Sequence, residues 1–296
     1  VGERVVEIDG GEAIKVIDFA GRELLFQERP NRIVSLVPAD LETIHALGGQ
    51  IVGRPAVPDE TVPGGLEHVE QVGDVHGMDF EKIVSLKPDL VIGHADVNLK
   101  DVGTMESLGL NMLLTKGDSY EETIEMIEMY GRLLGKEQEA GEMVASIEQR
   151  KAAIEPLTEE VKALIVFGST ESFMAALPGS LAGNLLELLG GVNIAEGLPG
   201  IERYPDYAQL SMERVVNANP QIIFFIAHGD PEAVKNKFAE EMKSNSAWNN
   251  VDAVKHNRFV VLPSALFSSN PGPRIIDALE FLDSHLKSVA NDNQAA

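Results

Sequence analysis

The sequence predicts an α/β fold of two Rossmann-like lobes joined by one long connector helix, with a ligand cleft between the lobes. Its 296 residues exceed the size of one average hydrophobic core. Strand-like and helix-like segments alternate along most of the chain, as in parallel α/β sheets. Each half contains a helix, a proline, an apolar strand and a histidine, as FEKIVSLKPDLVIGH and MERVVNANPQIIFFIAH, which indicates two domains of similar build.

The first half of the chain divides into short strands and a first lobe. Residues 1–29 alternate strand-like runs with Gly-containing turns, which predicts an N-terminal hairpin region. Residues 30–135 form the N-terminal lobe, with helices that stop at glycine or before Pro88. Ser119 and Glu122 predict a capping box at the last helix of this lobe. The predicted strands are RIVSLVP, IVGRPA, DLVIG and NMLLTKG, and the helices are ADLETIHALGG, MDFEKIVSLK, VGTMESLG and SYEETIEMIEMYGRLLG.

The second half repeats the alternation after a charged helical segment. Residues 136–157 carry only a thin apolar stripe and predict the connector helix. Residues 158–288 predict the C-terminal lobe, in which Asp230 and Pro231 open one helix. The remaining tail, 289–296, is expected to be disordered. The predicted strands are KALIVFG, QIIFFIAHG and RFVVLP, and the helices are SLAGNLLELLGG, LSMERVVNANP, DPEAVKNKFAEEMKS and PGPRIIDALEFLDSHLKSV.

Charge and composition exclude several classes of partner and site. The chain has 24 Lys and Arg against 47 Asp and Glu, a net charge of −23, so it should repel nucleic acids and anionic lipids. It has no cysteine, which excludes disulfides and Cys-ligated metal sites. The start, VGERVVEIDGGEAIKV, lacks the features of a signal peptide, so none is expected in this sequence. No apolar run approaches the roughly 18 residues of a membrane span.

Two histidines follow predicted buried strands directly. His94 comes after DLVIG, and His228 comes after QIIFFIA. Ligands of open α/β sheets bind beyond the carboxyl ends of the strands, so both histidines are expected to point into the cleft. His76 and Met78 lie in the loop before the helix MDFEKIVSLK. Histidine and methionine supply soft nitrogen and sulfur groups, so these residues are candidates for contact with a ligand.

The same residues have ordinary structural interpretations. A lone histidine after a strand is more often a hydrogen-bonded loop residue than a ligand. Met78 could simply cover the helix end hydrophobically. The other four histidines fall on predicted helices or outer loops and are interpreted as surface residues: His45, His68, His256 and His285.

A series of segments resembles one known family. They are DFAGRELLF, RIVSLVPADLETIHALG, VGDVHGMDFEKIVSLKPDLVIG, PGSLAGNLLELLGGVNIA, LSMERVVNANPQII and NPGPRIIDALEFL. In this order they resemble the substrate-binding proteins of ABC importers for iron complexes, haem and vitamin B12, over about residues 17–286. The resemblance implies a monomeric, non-enzymatic receptor outside the cytoplasm, in the periplasm or lipid-anchored. It would capture a small-molecule metal chelate and deliver it to the transmembrane subunits of an ABC permease.

The resemblance also implies two docking residues. Glu81 in MDFEKI and Glu213 in LSMERV match the acidic residues, one on each lobe, that contact permease arginines. An Arg–carboxylate pair across an interface gives orientation and partner choice. The alternative is that each glutamate is an ordinary residue of a helix N-terminus, where the helix dipole stabilises it.

Within the family, the segment AHGDPEAVK is most similar to haem-binding lipoproteins of Gram-positive bacteria. The match implies that His228 is an axial ligand of haem iron. In those receptors a methionine precedes the E-K helix, and the nearest positions here are His76 and Met78. The second ligand therefore stays open between these two, with His94 as the third candidate. The resemblance implies haem or another iron complex as bound ligand and no intrinsic cofactor.

Other ligands of the class fit less well. Ferric siderophore receptors often carry several basic pocket residues, and here Arg203 and Lys100 are the obvious ones. Vitamin B12 receptors line their pocket with several tryptophans, whereas the sole Trp248 is expected at a helix end on the lobe surface. A ferric siderophore is therefore the second ligand hypothesis and cobalamin the third.

The segment IERYPDYAQ faces the cleft in the family and supplies further candidates. Tyr204 or Tyr207 could ligate ferric iron as a phenolate or stack on a flat ligand. Arg203 could pair with a carboxylate of the ligand. Packing in a loop, for the tyrosines, and solvation at the surface, for the arginine, are equally compatible with the sequence.

A hypothesis from another class is a tetrapyrrole- or metal-handling enzyme. Such proteins share the two-lobed α/β build but need cysteine ligands or a phosphate-binding loop. This chain has no cysteine, no GxxxxGK[ST] motif and no G-x-S-x-G motif. The sequence therefore favours a binding protein over an enzyme.

Overall fold

The computed structural model describes residues 4–8, 13–57 and 62–295, and the turn predicted at 9–12 lies outside them. The chain divides into two compact units. The first unit is Val1–Gly117 with Glu121–Glu148, and the second is Asp118–Tyr120 with Gln149–Ala296. Both units combine a sheet with helices, which confirms the predicted α/β class.

The first unit contains two sheets. A three-stranded antiparallel sheet has the order β1-β2-β3, as the pattern of residues 1–29 predicts. A five-stranded sheet is parallel at every pairing and has the order β6-β5-β4-β7-β8. The strands are β1 Val5–Ile8, β2 Ala13–Ile17, β3 Glu23–Phe26, β4 Ile33–Ser35, β5 Ile51–Arg54, β6 Glu70–Gln71, β7 Leu90–His94 and β8 Met112–Thr115.

Among the described residues, four α-helices lie between the parallel strands of this unit, and two longer helices follow its last strand. They are α1 Pro38–Ala46, α2 Phe80–Ser85, α3 Ala95–Asn98, α4 Val102–Ser107, α5 Tyr120–Leu134 and α6 Glu137–Ala152. Leu90, Val91 and Ile92 of β7 are all completely buried, as expected for a strand covered on both faces. Polar groups with a function must therefore lie at the strand ends.

The second unit is built on a mixed sheet of the order β12-β13-β10-β9-β14-β15, with β11 also paired to β9. β9, β14 and β15 are parallel, whereas β10, β13 and β12 are added by antiparallel pairing. The strands are β9 Lys162–Gly168, β10 Phe173–Ala176, β11 Val192–Asn193, β12 Gly200–Ile201, β13 Tyr204–Gln209, β14 Ile222–Ala227 and β15 Phe259–Val261. The helices are α7 Leu181–Leu188, α8 Met212–Ala218, α9 Pro231–Ser244, α10 Asp252–Lys255, α11 Ser264–Phe267 and α12 Ile275–Ala295.

The antiparallel part of this sheet is absent from the sequence-based prediction. β13 reads YPDYAQ, in which a proline and an aspartate interrupt the strand pattern. The proline is tolerated because it lies outside the paired positions: β13 pairs with β10 at Tyr207–Gln209 and with the two-residue edge strand β12 at Tyr204 and Ala208. The segment expected to be a loop is therefore a strand of the second unit.

Three further expectations were wrong. The predicted connector 136–157 ends as a helix at Ala152, consistent with Pro156 four residues later. The tail expected to be disordered continues α12 to Ala295, because Val289 and Ala290 are buried. Trp248, expected at the surface, is 1% exposed, and its ring packs 5.6 Å from that of Phe238.

The histidine expected at the surface of α12 is also partly covered. His285 lies 4.8 Å from the ring of Phe281, measured between ring centroids. Partial burial lowers the pKa of His285. This histidine therefore contributes to packing and is not a free surface group.

A completely buried carboxyl group of the first unit lies on its first helix. Asp40 of α1 accepts hydrogen bonds from Thr115 at 2.7 Å and Tyr130 at 3.0 Å. Burial raises its pKa from 3.8 to about 6, against the opposing effect of these two hydrogen bonds. The folded state thus binds a proton that the unfolded state releases above about pH 4.

We expect Asp40 to make the unfolding free energy depend on pH. Because its folded pKa lies above its unfolded pKa, its contribution is fully present below about pH 4 and is lost as the pH rises through about 6. The full loss is about 3 kcal/mol. Urea unfolding between about pH 4 and about pH 7 should show a smaller fall for Asp40→Asn than for wild type. Glu106→Gln, at an exposed carboxylate, is the control, and equal slopes for all three proteins would contradict the assignment.

Candidate functional site

A tight loop between β6 and α2 carries His76 at its tip. The Asp74 carboxylate accepts hydrogen bonds from the backbone N–H groups of His76 and Gly77, at 2.8 and 3.0 Å. Gly73 has a φ of +88°, and a Cβ there would lie 2.2 Å from the carbonyl oxygen of Gly77. Gly73 therefore permits the closure, and the loop projects His76 into solvent.

Met78 occupies the opposite environment in the same loop. It is half-buried and packs against the hydrophobic core of the first unit, as Val75 does. An isolated bridge also pairs it with Gly73. The two candidates therefore differ in exposure. The His76 side chain faces solvent, whereas the Met78 side chain packs against the core and holds the loop in place.

Asn98 connects this loop to the carboxyl end of β7. Its side chain is completely buried, accepts a hydrogen bond from the backbone N–H of His94 at 2.9 Å and donates one to the carbonyl of Val75 at 2.8 Å. It donates a further bond to Asp101 at 3.0 Å. One amide therefore fixes the candidate residues His76 and His94 at the same end of the parallel sheet.

The side chain of His94 is already engaged. Its Nδ1 accepts the backbone N–H of Asp96 at 3.3 Å and caps α3. A neutral ring that accepts at Nδ1 carries its proton on Nε2, so neither nitrogen offers a free lone pair. This arrangement ranks His94 below His76 as a metal ligand.

The second unit places His228 at the carboxyl end of β14. The side chain is exposed, and the backbone N–H donates to the carbonyl of Gly168 at 2.8 Å, which continues the pairing of β14 with β9. Gly229 follows with a φ of +98°, and Asp230 then caps α9 through the N–H groups of its first turn. This short connection holds His228 close to the sheet.

One aromatic ring, that of Phe167, lies beside His228, and the ring of Tyr207 lies beside Phe167. Its ring centroid is 5.9 Å from that of Phe167 in β9, and Phe167 is 5.2 Å from Tyr207 in β13. Burial raises the pKa of Tyr207 to about 12, and the carboxylates of Asp118 and Asp206 add to the shift. Tyr207 is therefore held neutral, which favours stacking over ligation as a phenolate.

Among the described residues, Arg203 and Tyr204 have no ring contact with Phe167, Tyr207 or His228. Both are exposed at the turn between β12 and β13, and the Arg203 guanidinium stands 5.6 Å from the centre of the Tyr204 ring. The described contacts thus join Tyr207 and His228 through Phe167, but they do not join Arg203 or Tyr204 with this group.

The helix α2 presents Glu81 to solvent. Asp79 caps the helix by accepting the backbone N–H of Lys82. The Lys82 side chain turns back to its own unit, with its ammonium 2.9 Å from Glu70 and 3.2 Å from the carbonyl of Gln71. Glu81 is exposed, and among the described residues its side chain has no hydrogen bond or ion pair.

The helix α8 repeats this arrangement around Glu213. Ser211 caps the helix by accepting the backbone N–H of Arg214. The Arg214 side chain donates to the carbonyls of Ile194 and Glu196, both at 2.7 Å. Glu213 is exposed and, within the described part of the chain, has no side-chain partner. In both units the basic residue after the glutamate bonds to its own unit, and the glutamate side chain stays exposed to solvent.

Comparison with known proteins identifies the family. A family model described as periplasmic binding protein matches residues 33–266. The chain belongs to this family. It is 27% identical over 281 residues to the uncharacterised ABC transporter substrate-binding lipoprotein YvrC of Bacillus subtilis, covering 91% of this chain and 84% of YvrC. The relatives are substrate-binding proteins of ABC transporters and not enzymes, which confirms both the resemblance and the expected absence of catalysis.

The name of a second relative states the ligand of that relative. The high-affinity heme uptake system protein IsdE of Staphylococcus aureus is 27% identical over 240 residues, or 80% of each chain. The crystal structure of IsdE complexed with heme superposes with a TM-score of 0.75 and 26% identity, covering 86% of this chain and 98% of IsdE. No helix among the described residues has the length and apolar character needed to cross a membrane.

Asn98 and Phe167 lie next to the candidate residues, but the sequence did not single them out as parts of the site. Phe167 is one residue from the end of the strand KALIVFG, so its place at a carboxyl end was a usable signal. Asn98 lies in a short helix after His94 and carries no local signal. Its role depends on Val75, which is 23 residues away in the chain.

Asn98→Ala should loosen the loop that carries His76. The change leaves the buried carbonyl of Val75 and the N–H of His94 without partners, which costs about 1–3 kcal/mol for each unsatisfied group. We expect faster amide hydrogen exchange in residues 73–78. Asn217→Ala, at an exposed position of α8, is the control. Unchanged exchange in 73–78 would show that the loop does not depend on this amide.

Proposed function

We propose that this substrate-binding protein is the extracytoplasmic haem receptor of an ABC importer. The observation that carries the proposal is the environment of His228. An exposed imidazole at a strand end lies beside the ring of Phe167, which in turn lies beside the ring of Tyr207. Imidazole ligates haem iron, and neighbouring aromatic rings suit the apolar face of a porphyrin.

The second axial ligand is assigned to His76 in this proposal. It is exposed at the loop tip, whereas Met78 packs into the core and His94 caps a helix. Met78 is the alternative, because the thioether of methionine also ligates haem iron. The heme complex of IsdE, a relative of similar fold, supports this class of ligand.

Further residues complete the proposed site. Arg203 is exposed at a hairpin turn and could pair with a propionate, since guanidinium matches carboxylate geometry. Tyr204 beside it offers a stacking surface. No intrinsic cofactor is proposed, and haem is treated as cargo.

Delivery requires a membrane partner. In this proposal, Glu81 and Glu213 dock onto basic residues of the permease, one from each unit of the receptor. Both are exposed and have no side-chain partner within the described residues. The lipoprotein YvrC and the haem uptake protein IsdE support a location outside the cytoplasm.

An absorbance titration with haemin tests the ligand assignment. Wild type should give a saturable one-to-one Soret band, and His228→Ala and His76→Ala should each weaken binding at least about ten-fold, or about 1.4 kcal/mol. Met78→Ala should retain wild-type band positions. His68→Ala, at an exposed histidine outside the proposed site, is the matched control.

Other outcomes identify other ligands. A weakened band in Met78→Ala but not in His76→Ala would transfer the second ligand to Met78. No saturable band in wild type would overturn the haem proposal. The same titration with a ferric hydroxamate and then with cobalamin, followed by protein fluorescence, would then test the second and third ligand hypotheses.

A charge-reversal experiment tests the docking assignment. The double variant Glu81→Lys/Glu213→Lys should lose haem uptake in cells while keeping the wild-type Soret titration, because neither residue is placed at the ligand. Glu128→Lys/Glu241→Lys makes the same change in net charge at exposed positions and should transport normally. Weakened haem binding in the first double variant would contradict the assignment.

A further inference from the structure

The helices α2 and α8, which carry the proposed docking residues, share an exposed apolar residue as well as a glutamate. Val84 of α2 is 41% exposed and Val216 of α8 is 36% exposed. They are two of the seven large hydrophobic residues that are exposed among the described residues. Both follow the glutamate by three positions, so the same surface feature occurs once in each unit.

The packing of each helix explains why this position faces outward. The residue just before each valine is buried: Ile83 is 0% exposed and Val215 is 1% exposed. Successive helical residues turn by about 100°, so the glutamate and the valine lie about 60° apart, on the side away from the buried residue. Each helix therefore presents one carboxylate and one apolar side chain to the same partner surface.

We propose that Val84 and Val216 form, with Glu81 and Glu213, a duplicated mixed contact that the permease covers. This inference rests on the proposed permease docking and adds an apolar component to it. The expected partner surface presents a basic group beside an apolar patch. It presents this pair twice, as two equivalent transmembrane subunits would.

Charge selects this partner over the alternatives. The chain has a net charge of −23, and each valine stands beside a glutamate that has no side-chain partner among the described residues. A second copy of the chain, or an anionic lipid surface, would bring like charges together at both contacts. A basic partner removes that repulsion, and its apolar patch removes the valines from water.

The two components of the contact should respond differently to salt. Carboxylate–arginine attraction between exposed groups is screened as ionic strength rises, because the Debye length falls to a few ångströms. Burial of valine in an apolar patch is not screened. The contribution of the valines is therefore distinguishable from that of the glutamates in one binding assay.

The test measures binding of the receptor to the importer complex of the same organism, held in nanodiscs of neutral phosphatidylcholine. We expect Val84→Ser/Val216→Ser to bind about ten-fold more weakly at both low and high salt. Glu81→Gln/Glu213→Gln should bind more weakly at low salt, with a difference that shrinks at high salt. Leu25→Ser/Leu188→Ser, which changes one exposed leucine in each unit, is the matched control and should bind as wild type.

Two further measurements keep the interpretation specific. The valine variants should keep the melting temperature and the haemin titration of wild type, because the substituted side chains are exposed. Sedimentation of wild type should show a monomer. Self-association that the valine substitutions abolish would assign the contact to a second copy and overturn the proposal.

The outcomes separate this inference from the proposed function. If wild type fails to bind the importer at all, permease docking itself is wrong, and this inference falls with it. If the glutamate variants behave as expected and the valine variants bind as wild type, only the apolar component is wrong. Loss of binding in the leucine control equal to that in the valine variant would also overturn it.

Discussion

The buried parallel strands are the constraint on which the rest of each unit depends. A parallel strand is covered on both faces, so β7 and β14 can carry only apolar side chains along their length. Their hydrogen bonds are satisfied within the sheet. Chemistry is therefore confined to the carboxyl ends, where His94 and His228 lie. Similar local sequences place both histidines at equivalent positions.

His94 and His228 differ in their side-chain contacts although they occupy equivalent positions. After β7 the chain enters α3 at once, and His94 becomes the cap of that helix. After β14, Gly229 separates the histidine from the next helix, and Asp230 takes over the capping. The His228 side chain stays exposed beside the Phe167 ring, because Asp230 caps the next helix in its place. In the first unit the exposed histidine is His76, which a turn stabilised by Asp74 holds in solvent.

The helices α2 and α8 show the same division of tasks more symmetrically. In each, a side chain caps the first turn, the basic residue bonds its own unit, and an apolar residue enters the core. These contacts fix the rotation of the helix about its axis. The glutamate and the exposed valine are thereby directed outward, and within the described residues the glutamate has no side-chain hydrogen bond or ion pair. The duplicated pattern is a consequence of packing that each unit reproduces independently.

The sequence by itself determined the alternation of strands and helices, the helix boundaries at proline and glycine, and the residues at the strand ends. These depend on neighbours within a few positions, where backbone geometry and side-chain periodicity act directly. Tertiary structure decided the burial of Trp248, the edge hairpin, the engaged ring of His94 and the bridging amide of Asn98. Except for the cap at His94, these depend on contacts between residues distant in the chain. Folding brings these distant groups together, and each buried group then needs a polar or an apolar partner. A local sequence pattern does not encode which partner that is.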